Sequence, residues 1–251
     1  MNGPVDPAIA ITGLTKSYGR VKALQDVSFT VEPGTVTALL GLNGAGKTTL
    51  FQILTGLFVA DAGHVLVRGF DIARDPTAAL ARMGIVFQQT VLDLDLTVAQ
   101  NLRFYAGLHG LRGARAEAAA RHALGVLGCG DLGPSTIRQL SGGTRRKIEI
   151  ARALLTSPDV LLLDEPSGGL DTGSRADLAR TLFGLAAERG TAVLWATHLV
   201  QEIERAGAVV VLHRGRVAAS GSPAALMAEA GAATLEAAFL TLAGTGAEPA
   251  A

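Results

Sequence analysis

The sequence predicts an α/β fold: a mostly parallel sheet flanked by helices, with a small antiparallel sheet at its front and a helical block inserted into it. Three observations predict it. The runs Val36–Leu40, Val160–Leu163 and Thr191–Thr197 are predominantly apolar and of strand length, as strands buried on both faces are. Helix-length stretches separate such runs, and that alternation favours a parallel sheet. The segment Gly41-Leu42-Asn43-Gly44-Ala45-Gly46-Lys47-Thr48-Thr49 follows the first run and fits G-x-x-x-x-G-K-[ST], the phosphate-binding P-loop.

The P-loop sits where its chemistry needs it, between a buried strand and a helical stretch, Leu50–Leu54. Gly41, Gly44 and Gly46 let the backbone bend so that successive N–H groups, those of Asn43 and Ala45 among them, surround one hollow. The helix starting near Gly46 adds its positive end. Lys47 is expected to reach the β- and γ-phosphates of a bound triphosphate, and the Thr48 hydroxyl to bind Mg²⁺. Thr49, in the first helical turn, is placed for the α-phosphate. A glycine-rich turn carrying a solvated lysine is the competing reading, and the flanking elements weigh against it.

Composition narrows the classes. Of 251 residues, 49% are hydrophobic and 18% charged, enough apolar content for a core and too little charge for a disordered chain. The formal net charge is zero, so no global basic footprint for nucleic acid exists. A single cysteine, Cys129, excludes an internal disulfide and reads as a packing residue. The N-terminus lacks a basic segment followed by an apolar core, so no signal peptide is expected. The longest apolar runs fall far short of the roughly 18 residues of a membrane span.

Taken in order, residues 1–8 read as a loose leader. Ile9–Ile11 and Leu14–Tyr18 form a first strand ending at a Gly19 turn, and Val27–Val31 alternates with period two as a second. Tyr18 is placed either to stack on an adenine or to lie as a half-exposed strand residue. A Gly63 turn precedes a strand at His64–Val67, Ala78–Met83 reads as a short helix, and Gly84–Phe87 as a strand. Gln88 and Gln89 follow it, where strand ends line a ligand crevice or simply enter a loop. Thr97 is a plausible helix cap. From Asn101 to Leu127 the chain is rich in Ala, Leu and Arg, with helices broken at Gly107, Gly110 and Gly113. A helical block of roughly residues 90–155 results. Beyond it, a helix runs from about Ser174 to Arg189 and ends at Gly190. A hairpin joins Ala208–Leu212 to Arg216–Ala219, and short helices cover Pro223–Glu229 and Leu235–Leu242. Residues 244–251 read as disordered.

Two further stretches carry chemistry. Leu140-Ser141-Gly142-Gly143-Thr144-Arg145-Arg146-Lys147 puts glycines before a helix predicted over Arg146–Leu155, a second anion-binding helix start, with its basic residues read as a solvated face. Val160–Leu163 ends in Asp164-Glu165-Pro166, the Walker B form. Asp164 at the strand tip is expected to hold Mg²⁺ through water, and Glu165 to orient and deprotonate the attacking water. Gly168–Asp171 makes a turn. His198, at the tip of the strand Thr191–Thr197, is the histidine best placed to meet a phosphate.

Together these motifs, over roughly residues 9–221, resemble the nucleotide-binding domain of ATP-binding cassette (ABC) transporters. Gly41–Thr48 matches Walker A, Gln88 the Q-loop glutamine, Leu140–Gly143 the signature motif, Val160–Glu165 Walker B, Gly169–Asp171 the D-loop and His198 the switch histidine. Thr144 and Leu42 depart from the family's commoner Gln and Pro, and neither removes a phosphate ligand. The resemblance implies a P-loop NTPase core of the RecA-like kind. It implies one domain over residues 1–243, with the helical block as a subdomain. It implies ATP as substrate and Mg²⁺ as cofactor, with Gln88 among both the catalytic and the metal-binding residues, and Tyr18 stacking on adenine. It also implies a head-to-tail homodimer or pseudo-homodimer of cassettes in which Ser141, Gly142, Gly143 and Asp171 complete the partner's site. Leu96–Leu102, Thr144–Lys147 and Thr234–Leu240 are similar to ABC-2-type exporters. Val193–Leu199 and Leu92–Thr97 look like the subgroup linked to quinoprotein-dependent alcohol oxidation in bacteria.

An ATPase subunit that drives integral membrane permease subunits on separate chains is thus expected, cytoplasmic and peripheral on the inner face of the cell membrane, with no nucleic-acid partner. Its groove for the permease is expected over Gln88–Tyr105, rimmed by Leu92, Leu94, Leu96 and Phe104. An ABC ATPase of iron–sulfur assembly, without a membrane partner, is the alternative. Translation or DNA-repair cassettes usually carry two cassettes or a long coiled coil, and this sequence has one P-loop and no sustained heptads.

Overall fold

The computed structural model describes residues 6–244. β1 (Ile9–Tyr18) and β2 (Val21–Val31) pair antiparallel with Ile9 opposite Val31. β2 begins six residues before its alternating stretch, because main-chain pairing of Val21 with Tyr18 and of Leu24 with Lys16 extends the ladder through a stretch that has no period-two pattern. β3 (Val36–Leu40) leads through the P-loop into α1 (Lys47–Leu54). β4 (Ala62–Val67) and β5 (Phe70–Asp71) complete a four-stranded sheet ordered β2-β1-β4-β5. Next come α2 (Pro76–Leu80) and β6 (Met83–Val86). The helical block holds α3 (Val98–Leu108), α4 (Gly113–Val126) and α5 (Gly142–Ala153). β7 (Val160–Asp164), α6 (Thr172–Arg189) and β8 (Ala192–Thr197) follow, then the hairpin β9 (Ala208–His213) and β10 (Arg216–Gly221), and finally α7 (Pro223–Ala230) and α8 (Leu235–Leu242).

The second sheet has the order β10-β9-β3-β8-β7-β6, parallel throughout except at β10. Its strands are apolar on both faces because each face has its own core. Ala38, Leu40, Leu161, Leu163, Val193 and Trp195 pack with the helical block and α6, whereas Leu39, Val160, Leu162 and Leu194 pack with α1 and the antiparallel sheet. This period-two division sends successive side chains to opposite cores. At ~2 kcal/mol for each fully buried large aliphatic side chain, the strands clamp both layers. The order also fixes the site. The carboxyl ends of β3, β8, β7 and β6 lie side by side, and they carry the P-loop, His198, Asp164-Glu165 and Gln88.

Several local expectations are corrected. Ala8, read as leader, is buried and its N–H pairs with the Val31 carbonyl at 2.8 Å. Gly63 is no turn: it lies within β4 at φ 89°, where a Cβ would come within 2.4 Å of the Gly13 carbonyl oxygen at a bulge of β1. α2 starts at Pro76, a residue suited to a first helical position, and Met83 belongs to β6 opposite Val160. Gly107 stays inside α3, and the chain turns at Gly110 instead. α5 begins at Gly142, four residues early, because Ser141 caps it by accepting the Thr144 N–H at 3.2 Å. Leu92 is only 5% exposed and cannot rim a groove, and Leu94 is packed against the same core. Thr97 caps α3 in a full capping box with Gln100, as its position predicts. Residues 1–5 of the leader and 245–251 of the tail lie outside the described residues.

Candidate functional site

A cleft of about 650 Å³ opens at the carboxyl ends of the parallel strands. Leu42, Asn43, Gly44, Gly46, Lys47, Thr48 and Thr49 form one wall, and Gln88, Asp164 and Glu165 form the other. Gly46 is the position that permits the wall. It caps α1 at φ 110°, and a Cβ there would come within 2.7 Å of the Ala23 carbonyl oxygen. Gly41 and Ala45 lie behind the lining. The Gly41 carbonyl accepts from the Lys47 ammonium, and the Ala45 N–H bonds the Leu42 carbonyl at 3.1 Å.

The charges face each other across the cleft. Lys47 Nζ is 3.9 Å from Glu165 Oε1. Burial pulls the Lys47 ammonium below its ordinary value, opposed by Glu165 and then Asp164. Burial raises the Asp164 carboxyl above its ordinary value, the neighbouring Glu165 adds to that, and Lys47 and Arg146 oppose it. A half-buried carboxylate beside a second one is short of positive charge, and the Thr48 hydroxyl lines the same cleft. This donor set fits a hard, oxygen-ligated cation such as Mg²⁺.

His198 joins the site through Glu165, its Nδ1 lying 2.8 Å from Oε2 and 2.9 Å from Oε1. Glu165 has φ +48°, a left-handed conformation uncommon for a residue with a side chain. Its N–H is held by the Ala196 carbonyl of β8 at 3.0 Å, so the turn that places the carboxylate is tied to the strand that carries His198.

Eight expected site residues do not line this cleft: Gly41 and Ala45 lie behind it, His198 joins it only through Glu165, and Tyr18, Ser141, Gly142, Gly143 and Asp171 stand apart. Tyr18 ends β1 beside it; Phe58 meets its ring edge-on at 6.1 Å, and the Lys16 ammonium lies 5.7 Å from the ring centre. Ser141, Gly142, Gly143 and Asp171 gather elsewhere. Gly143 packs so closely on α6 that a Cβ would meet Ser174 Oγ at 2.9 Å, and Ser174 donates to Asp171 from its hydroxyl at 2.7 Å and its N–H at 3.0 Å. Those bonds, the hydroxyl first, hold the Asp171 carboxyl below its ordinary value. Thr144 is not a bystander either, since its hydroxyl hydrogen-bonds the Ser141 hydroxyl at 2.9 Å.

Sequence reasoning missed two groups. Arg20, Lys22 and Arg214 rim the cleft, brought there by the β1–β2 turn and by the β9–β10 turn, whose Gly215 N–H bonds the Ala45 carbonyl at 2.9 Å. No local signal marks them. Arg146, read as part of a solvated face, is buried and reaches the carbonyls of Phe87, Asp164, Glu165 and Pro166. Its hint was its spacing from the buried Ile150, one turn along the same face of α5.

No single helix among the described residues is long and apolar enough to cross a membrane. Residues 24–168 match the family model described as ABC transporter. The chain is 42% identical over 230 residues to the daunorubicin resistance ATP-binding protein DrrA3 of Streptomyces coeruleorubidus, covering 90% of this chain and 72% of that protein. It is 38% identical over 224 residues to the Nod factor export ATP-binding protein I of Paraburkholderia xenovorans (strain LB400), covering 89% and 73%. Among solved structures it superposes on cbiO1 from Clostridium perfringens, described as part of the ABC transporter complex cbiONQ, with TM-score 0.83 and 30% identity over 90% of this chain and 92% of that one. The dimeric bacterial ABC transporter cassette MJ0796 matches with TM-score 0.75 and 26% identity over 85% and 98%. With the P-loop, Gln88, the carboxylate pair and His198 around one cleft, the chain belongs to the ABC transporter family, as one of its ATP-binding, ATP-hydrolysing cassettes.

Proposed function

We propose that this cassette binds MgATP at composite sites of a head-to-tail dimer and drives transport through permease subunits on separate chains, peripheral to the inner face of the cell membrane. The observation that carries the reading is the separation of two anion-binding helix starts. The P-loop cleft has its own ring of donors, while the N-terminus of α5, with Ser141 and Gly142 exposed, faces elsewhere beside Asp171. A two-fold pairing brings each Ser141 helix start onto the γ-phosphate held by the partner's P-loop, with Asp171 at the seam.

Within the cleft, Lys47 and the P-loop N–H groups hold the phosphates. Thr48, Asp164 and Gln88 would hold Mg²⁺, which would supply positive charge against the phosphates. Glu165 takes the proton of the attacking water, and His198 keeps its carboxylate in place while facing the γ-phosphate. Tyr18, the last residue of β1, offers adenine an exposed aromatic face.

Size-exclusion chromatography of Glu165→Gln tests the dimer. It is expected to run as a dimer with ATP and as a monomer without, and Ser141→Arg added to it is expected to abolish the shift. A monomer at saturating ATP, with full ATPase activity in the Ser141→Arg single variant, would overturn the composite site.

A further inference from the structure

Arg146, in the second turn of α5, is 8% exposed and permanently charged. Its guanidinium gives four hydrogen bonds, all to main-chain carbonyls. Nε donates to Pro166 at 2.6 Å, Nη1 to Phe87 at 2.8 Å, and Nη2 to Asp164 at 3.2 Å and to Glu165 at 3.1 Å. Taking a charge out of water is costly, and here these four acceptors offset the cost. Burial pulls the group below its ordinary value, opposed by Glu149 and then Asp164, the first on its own helix and the second on β7.

The acceptors exist because of the turn at Glu165. With Glu165 at φ +48°, the carbonyls of Asp164, Glu165 and Pro166 all reach one guanidinium, and such left-handed backbone persists only where its surroundings hold it. A planar fork of five donors can bridge such spread acceptors, which a lysine ammonium cannot do to the same extent. The same fork takes the carbonyl of Phe87, the residue before Gln88. The helix that carries the fork is capped by Ser141, five residues earlier.

We infer that Arg146 is a positioning residue of the ATPase: it holds the left-handed turn of Glu165 and the Gln88 end of β6 to the helix that Ser141 caps. The inference rests on Glu165 being the base. Arg146 itself does not line the cleft. It acts through main chain, so that a phosphate docking on Ser141 sets the carboxylate and the glutamine through one rigid group. Arg152 supplies the comparison. It lies on the same helix, donates to the Ile85 carbonyl at 2.6 Å and stacks over Tyr105, with no bond to Glu165 or Phe87.

The test measures kcat, the ATP dissociation constant and the melting temperature for Arg146→Lys, Arg146→Gln, Arg152→Lys and Glu165→Gln in the full chain. Arg146→Lys is expected to lower kcat by ~10–100-fold, the range seen when a group that orients a functional side chain is lost, with the ATP dissociation constant unchanged. Arg152→Lys is expected to keep the parental kcat. A parental kcat in Arg146→Lys, or an equal fall in both lysine variants, overturns the inference. So does loss of folding in both Arg146→Lys and Arg146→Gln while Arg152→Lys folds, since Arg146 would then support the domain rather than the site. Glu165→Gln separates the two readings. If it hydrolyses ATP at the parental rate, the base assignment fails. If it is inactive beside a fully active Arg146→Lys, only the inference about Arg146 fails.

Discussion

Asp164 illustrates the tension between stability and function in a single residue. Its carboxyl is raised above its ordinary value by burial first and by Glu165 second. An acid whose folded pKa is raised weakens the fold when ionised. The cost is absent below the unfolded pKa and grows as pH rises through that value toward the folded one. Asp164→Asn is therefore expected to melt higher than the parent near pH 7 without Mg²⁺, and the gain should vanish below about pH 4, where the unfolded carboxyl is itself protonated. Thermal unfolding across that range checks it. A lower melting point for the variant at neutral pH would mean that attraction to Lys47 and Arg146 outweighs desolvation. Glu165 makes the complementary kinetic case. Glu165→Gln is expected to keep ATP affinity and to lower turnover by ~10²–10⁴, the contribution of a positioned general base. Steady-state hydrolysis beside equilibrium ATP binding measures both.

At the scale of elements, α3 shows how one helix divides its faces. Leu102 and Ala106 are fully buried, while Phe104 is 58% exposed and forms an edge-on ring pair with Tyr105 at 5.4 Å. Phe104 and Val91 are exposed apolar side chains within the segment Gln88–Tyr105, and Phe87 immediately precedes it. Phe104→Asp is expected to leave ATPase activity intact and abolish co-purification with the membrane subunits, whereas Leu92→Asp should unfold the helical block by burying a charge. Intact assembly of Phe104→Asp would move the groove elsewhere. Leu92 and Leu94, expected on the rim of that groove, face the core instead, and the reason is physical. Alternating leucines at 92, 94 and 96 look like a rim, yet this loop is drawn inward by Glu149, whose carboxylate accepts the N–H of Val91 at 2.8 Å and of Leu92 at 3.2 Å. The P-loop, the strand before Asp164 and the cap at Thr97 were legible because their signals lie within a few residues. Arg146 was not, since its acceptors lie 18 to 59 residues away and arrive only when β6 and β7 pair. The basic rim from Arg20, Lys22 and Arg214 was hidden for the same reason, as it depends on two turns meeting at the P-loop.

For the whole molecule, the question is whether ATP stabilises one chain or joins two. A ligand that binds only the folded monomer raises its stability by an amount set by ligand concentration alone, about 2.7 kcal/mol at a hundred times the dissociation constant. A ligand held between two copies adds a term that depends on protein concentration, because each bound nucleotide then favours the dimer. The P-loop cleft provides the first effect within one chain. The exposed Ser141 helix start beside Asp171 provides the second only if it meets the partner's nucleotide. In Glu165→Gln at saturating MgATP, the melting temperature is therefore expected to rise as protein concentration is increased over about a hundredfold range. In Glu165→Gln carrying Ser141→Arg, ATP should still raise the melting temperature, through Lys47 and the P-loop, but by an amount independent of protein concentration. The pair of slopes separates binding from bridging without any measurement of turnover. Equal slopes in the two proteins would remove Ser141 from the seam and leave each P-loop site complete within its own chain.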